Sequence, residues 1–215
     1  FVGLGFVVTN AASSESQGLE IDAAWQLTEK LRANLAVGFL DAEYTSYPGA
    51  GCTAMQQDAL RGLNNAAPGG TLTPSSPVIS AMGCEQQFLG SGQTSSGAQD
   101  LTGAPLFGAD YSGSFGLEFN QPLGSMMWFT QIDVNFTDER FMTGTFDPID
   151  IQEGYELVNL RTGLRGDNWM VMLYGRNVTD EEYATGAAVV PLAAGAHMRY
   201  QARTQVWGLQ AAWNF

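Results

Sequence analysis

Residues 128–137 read Trp-Phe-Thr-Gln-Ile-Asp-Val-Asn-Phe-Thr. Taking every second position separates Trp128, Thr130, Ile132, Val134 and Phe136 from Phe129, Gln131, Asp133, Asn135 and Thr137. A period of two belongs to an extended strand with one apolar and one polar face, whereas a helix spaces its apolar residues three and four apart. The pattern recurs on both sides. Leu19, Ile21, Ala23, Trp25 and Leu27 alternate with Glu20, Asp22, Ala24 and Gln26. Leu31, Ala33, Leu35, Val37 and Phe39 alternate with Arg32, Asn34, Ala36 and Gly38. Further runs cover 111–120, 158–165 and 207–215, and Val2, Leu4, Phe6 and Val8 begin the series more weakly. In 169–177 both faces are apolar because of Met170 and Met172, and Arg176 marks theirs as the polar side. The expectation is about eight strands and an all-β fold.

A soluble sandwich or barrel would also alternate. Three features favour an antiparallel transmembrane β-barrel segment. The strands run about 9–14 residues, where globular strands average about 5–6 and a tilted bilayer-spanning strand needs about 9–11. The polar faces carry Gly, Ser, Asn, Asp, Glu and Arg, and the last apolar face ends in Trp207 and Phe215, about 8 residues or roughly 20 Å apart along a tilted strand. The connections also segregate by length. Those at 27–31, 120–126 and 165–169 are tight, whereas 45–110, 138–154 and 178–201 are long. Short turns on one side and long loops on the other describe an outer-membrane barrel. The connection 10–16 is the exception, being short where a long one is expected.

Composition narrows the function classes. The 215 residues are 45% hydrophobic and only 14% charged, with nine Lys+Arg against 22 Asp+Glu. A net charge of −13 excludes nucleic acid as the main partner, because polyanion binding draws on basic groups that displace counterions. No apolar stretch is long enough for a transmembrane helix. The chain opens on Phe1 without a basic, then apolar, leader, and so reads as a mature chain or a piece of a longer one. Cys52 and Cys84 lie in one Gly/Ser/Pro/Gln-rich stretch. Their even number suggests a disulfide and an oxidising compartment, with two unpaired thiols as the alternative. Two cysteines and the single His197 are too few soft ligands for zinc, so no metal site is expected.

Four stretches resemble the C-terminal barrel of the TonB-dependent receptors of Gram-negative outer membranes. These are residues 10–25 with the step Gly18-Leu19-Glu20, the run Leu40-Asp41-Ala42-Glu43-Tyr44, the segment Leu101-Thr102-Gly103-Ala104-Pro105-Leu106, and Asn177-Val178-Thr179-Asp180-Glu181-Glu182-Tyr183. The last is similar to a penultimate-strand motif of that family. A terminal strand with Trp213 and Phe215 resembles the signal by which such barrels are recognised for insertion. The resemblance implies the last third of a barrel of about 22 strands, with the N-terminal plug and the box that contacts the TonB energy-transducing complex absent. It implies residence in the outer membrane among lipid and lipopolysaccharide, and uptake of a scarce ligand, ferric siderophores first among them. Binding and gating of this kind need no catalytic residue and no cofactor. A self-contained eight-stranded barrel with a structural or adhesive role is the alternative.

Candidate ligand contacts are the arginines Arg61, Arg140 and Arg199, suited to bidentate capture of anionic groups. The aromatics Tyr44, Phe141, Tyr155 and Tyr200 at strand tops are candidates for stacking. Ordinary loop salt bridges are the alternative use of the arginines. His197, in an Ala/Gly-rich loop, reads as a solvated residue rather than a catalytic base, and Asp41/Glu43 and Asp180/Glu181/Glu182 as solvated rim carboxylates. The connection 45–110 should be extracellular, should contain a short helix near Gln56–Leu63, and should cap the lumen.

Overall fold

The computed structural model describes residues 13–66, 78–90, 93–94, 97–106, 108–190 and 196–214. The weak strand expected over Val2–Val8 and the terminal Phe215 lie outside them. Seven long strands form one antiparallel sheet: β1 (Ser13–Thr28), β2 (Leu31–Ser46), β3 (Tyr111–Leu123), β4 (Met126–Thr137), β5 (Tyr155–Arg165), β6 (Trp169–Arg176) and β7 (Val206–Trp213). Each pairs with the next in chain order, an up-and-down meander.

The register shows what the alternation does. One row across the sheet is Trp25, Ala33, Leu117, Ile132, Leu160, Gly175 and Trp207, each directly opposite the next. The neighbouring row on the other face is Gln26, Arg32, Glu118, Gln131, Arg161, Tyr174 and Gly208. Because side chains alternate along every strand, a slip of one residue at any pairing would break both rows. Met172 lies opposite Gly163 and Gln210, so the ambiguous strand presents its methionines on the polar face, as Arg176 indicated.

Among the described residues, the apolar face is largely open. Leu209 is 74% exposed, Trp213 60% and Leu19 58%. Among the described residues, Ala33 is the one buried hydrophobic residue of the sheet, and the other buried hydrophobics sit in the connections. A water-soluble sheet hides its apolar face, whereas this one displays it. Aromatic rings gather at both margins. Trp25, Phe119, Trp128, Trp169 and Trp213 lie towards the short turns, and Phe39, Tyr111, Phe136 and Trp207 towards the long loops. Tyr111 and Phe119 are eight residues apart on β3, about 20 Å in projection on an axis from which the strands tilt by about 40°. The polar face satisfies itself sideways. Arg161 donates to Gln131 at 3.4 Å, Arg165 to Asn120 at 3.4 Å, and Asn120 to Glu118 at 2.7 Å.

Tight turns at 29–30, 124–125 and 166–168 close one end of the sheet. The connections 47–110, 138–154 and 177–205 leave the other end. The described part of the first carries the expected helix and short strands besides. Helix α1 (Ala54–Ala66) contains the expected 56–63 segment and extends beyond it at both ends. It starts with a capping box: the Gln56 amide donates to the Thr53 hydroxyl at 3.1 Å, and the Thr53 amide to Gln56 Oε1 at 2.7 Å. A disulfide joins Cys52, just before the helix, to Cys84, with the Cα atoms 5.7 Å apart. With Leu60 the two half-cystines form a small buried core. Gly97 packs against the bond at φ +83°, where a Cβ would sit 3.0 and 3.1 Å from the two sulfurs. A side chain there would face both backbone strain and a clash.

Candidate functional site

The polar face ends towards the long loops in the row Glu20, Gly38, Ser112, Thr137 and Tyr155. Above its last members lies a cavity of about 660 Å³. Leu40, Ser112, Thr137 and Tyr155 line it from the sheet, and Arg140, Phe141, Met142, Thr185 and Gly186 from the connections. The volume lies within the usual range for small-molecule sites.

Three of the sequence candidates meet there: Arg140, Phe141 and Tyr155. Arg140 and Phe141 form a two-residue ladder with Gln152 and Ile151, which turns the 138–154 connection into a hairpin over the rim. Phe141 packs edge-on against Phe146 at 5.1 Å, and Tyr155 stacks on Tyr183 at 4.4 Å. The rings are thus held from behind. The site offers a guanidinium and two aromatic side chains around a space open to the polar face, which suits an anionic ligand with flat groups.

The other four candidates lie elsewhere. Tyr44 packs against Tyr47 and Phe146, at ring distances of 4.9 and 6.1 Å, in the apolar cluster of Ala50 and Leu101. Arg61 pairs with Asp58 at 3.4 Å on the exposed side of α1. Arg199 donates to the Ile151 carbonyl at 3.0 Å and to Gln152 Oε1 at 3.3 Å. Tyr200 is 52% exposed, with its hydroxyl donating to Met198 Sδ at 3.2 Å.

One expectation is corrected. His197 is not solvated: its side chain is 5% exposed and lies between Asp147 and Asp150, both fully buried. Burial of two carboxylates demands close donors, and residues from three connections supply them. Nothing local in the sequence marks this cluster, since residue 197 reaches residues 147 and 150 only through the fold. The two ring nitrogens face different carboxylates, and no group of ligating side chains suited to a metal occurs among the described residues.

The Asn177–Asp180 stretch has a clear mechanical reason. Asn177, 6% exposed and at φ 49°, donates through Nδ2 to the Glu181 carbonyl at 2.8 Å and accepts the Glu181 amide at 2.9 Å. Asp180 accepts the Gln205 amide at 2.9 Å. These bonds close the end of β6 and aim the chain back into β7. Asp100, at the foot of the first connection, is held below the usual carboxylate range by hydrogen bonds from the Thr102 hydroxyl and amide.

No family model and no curated protein matches this chain. Solved structures do. The crystal structure of FyuA, the ferric yersiniabactin uptake receptor from Yersinia pestis, aligns with a TM-score of 0.60 at 11% identity, over 94% of this chain and 24% of that one. The siderophore receptor PiuA from Acinetobacter baumannii aligns with a TM-score of 0.57 at 14% identity, over 92% of this chain and 21% of that one. The fold resembles part of the barrel wall of these receptors. Identity this low speaks to fold alone, and the chain spans under a quarter of either receptor's length. In such a wall the cavity beside Arg140 sits at the rim from which the long loops rise.

Proposed function

We propose that this chain is the C-terminal part of the barrel of a TonB-dependent outer-membrane receptor, and that the whole receptor takes up a scarce ligand of the ferric siderophore class. The observation that carries the reading is the bare apolar face of the seven-stranded sheet, with aromatics at both margins and its buried clusters confined to the loops. Lipid is the solvent that makes such a face favourable. The likeness to the barrels of two siderophore receptors supports the barrel reading, and the anion-suited cavity agrees with the ligand class.

In this reading the long connections are extracellular, and the polar face lines the lumen. Arg140 meets the anionic ligand while Phe141 and Tyr155 flank it. Lipid and lipopolysaccharide surround the wall. The N-terminal part of the receptor supplies the plug and the contact with the energy-transducing complex. The protein binds and gates, and no bond is made or broken.

A growth screen tests the proposal. The full-length receptor, expressed in a strain lacking its own siderophore receptors, should restore growth on at least one ferric siderophore under iron limitation. Arg140→Glu should reduce that growth at least about tenfold in half-saturating ligand, the effect of placing a like charge against an anion. Rescue by cobalamin or glycans alone would overturn the ligand class, and undiminished growth with Arg140→Glu would overturn the site.

A further inference from the structure

The buried cluster at the rim joins all three long connections. His197 Nδ1 lies 3.0 Å from each oxygen of Asp150, while Nε2 faces Asp147 Oδ2 at 3.5 Å. Asp150 also accepts the Thr143 hydroxyl at 3.0 Å. Asp147 accepts the Ile149 amide on Oδ1 at 3.3 Å and, on Oδ2, the Met55 amide from the first turn of α1 at 3.4 Å. Asp147 and Asp150 belong to the hairpin that presents Arg140 and Phe141, whose base is tied by the Met142 amide donating to the Asp150 carbonyl at 3.0 Å. His197 starts the strand His197–Gln201, whose partner Ala184–Val189 brings Thr185 and Gly186 to the same cavity. The cluster therefore lies behind two walls of the cavity at once.

We infer that His197 is a positioning residue for the cavity: through Asp150 it clamps the Arg140–Phe141 hairpin to the 184–201 hairpin, while Asp147, on the first of these hairpins, ties it to the start of α1. A buried carboxylate is stable only with close donors, so removing the imidazole leaves Asp150 with the Thr143 hydroxyl as its remaining side-chain donor. The hairpin then gains freedom, and the spacing between Arg140 and Tyr155 is lost with it. The consequence for ligand binding rests on the receptor reading above, whereas the clamp itself does not.

Amide hydrogen exchange on the full-length receptor in detergent micelles separates the two. In His197→Ala the amides of Met142, Ile149, Asp150 and Met55 should exchange about tenfold faster or more, while those of 128–136 stay unchanged. His197→Asn, whose Nδ2 takes the place of the ring Nδ1 opposite Asp150, should return Met142 and Asp150 to within about twofold of the parent protein. Acceleration confined to 196–201, or an Asn variant that behaves like the Ala variant, would overturn the clamp. No ligand enters this measurement, so its failure is distinct from the failure of the receptor reading, which appears as no restored growth on any ferric siderophore.

Discussion

Replacing Ile132 by Arg is the sharpest single perturbation of the sheet. Ile132 sits six residues from the start of β4 and five from its end, between Leu117 on β3 and Leu160 on β5. At about 3.3 Å per residue and a tilt of about 40°, that places it some 13–15 Å from either margin, near the middle of an apolar band about 25 Å tall. Its side chain is 38% exposed and faces away from the polar row. A charged side chain at mid-depth on a lipid face costs about 2–4 kcal/mol. Its neighbour Asp133 has the same depth and the opposite face, opposite Gly116 and Asn159. There Asp133→Arg exchanges one hydrated charge for another and loses the contact from Gln131 at 3.1 Å, a cost of about 1 kcal/mol or less. The assay is urea unfolding of the full-length receptor in phosphocholine vesicles, followed by tryptophan fluorescence. Ile132→Arg should lower the midpoint strongly and Asp133→Arg slightly. Equal sensitivity of the two positions would mean a sheet buried on both faces, and the lipid reading would fail.

The other predictions concern the first connection. Replacing Cys52 and Cys84 by Ser removes a constraint worth roughly 3–4 kcal/mol in the chain-entropy picture, so protease cutting between them should speed up by about two orders of magnitude while the barrel strands stay protected. Cleavage at the parent rate would show that the capped helix and its small core hold the loop without the bond. Deleting 51–97 should leave a folded barrel but change or abolish uptake. Ala50 already pairs with Gln99, so the cut ends lie side by side. Unaltered uptake by the deleted receptor would reduce the connection to decoration.

Much of the wall was legible from local chemistry. A strand with one face in lipid and one in water must alternate, so Ile132 and Asp133 declare their sides without knowledge of any neighbour. Turn residues and loop lengths follow the same logic. What no local pattern carried was convergence. Arg140, Phe141 and Tyr155 were three of seven scattered candidates until the hairpin pairing of Arg140 with Gln152 brought them around one cavity. His197 lay in an Ala/Gly-rich stretch with every mark of a solvated residue, yet it is buried between Asp147 and Asp150. The physical reason is range. Alternation and capping act over a few residues, whereas a buried polar cluster depends on side chains some fifty positions apart, and only the meander of strands with its connections decides which of those meet.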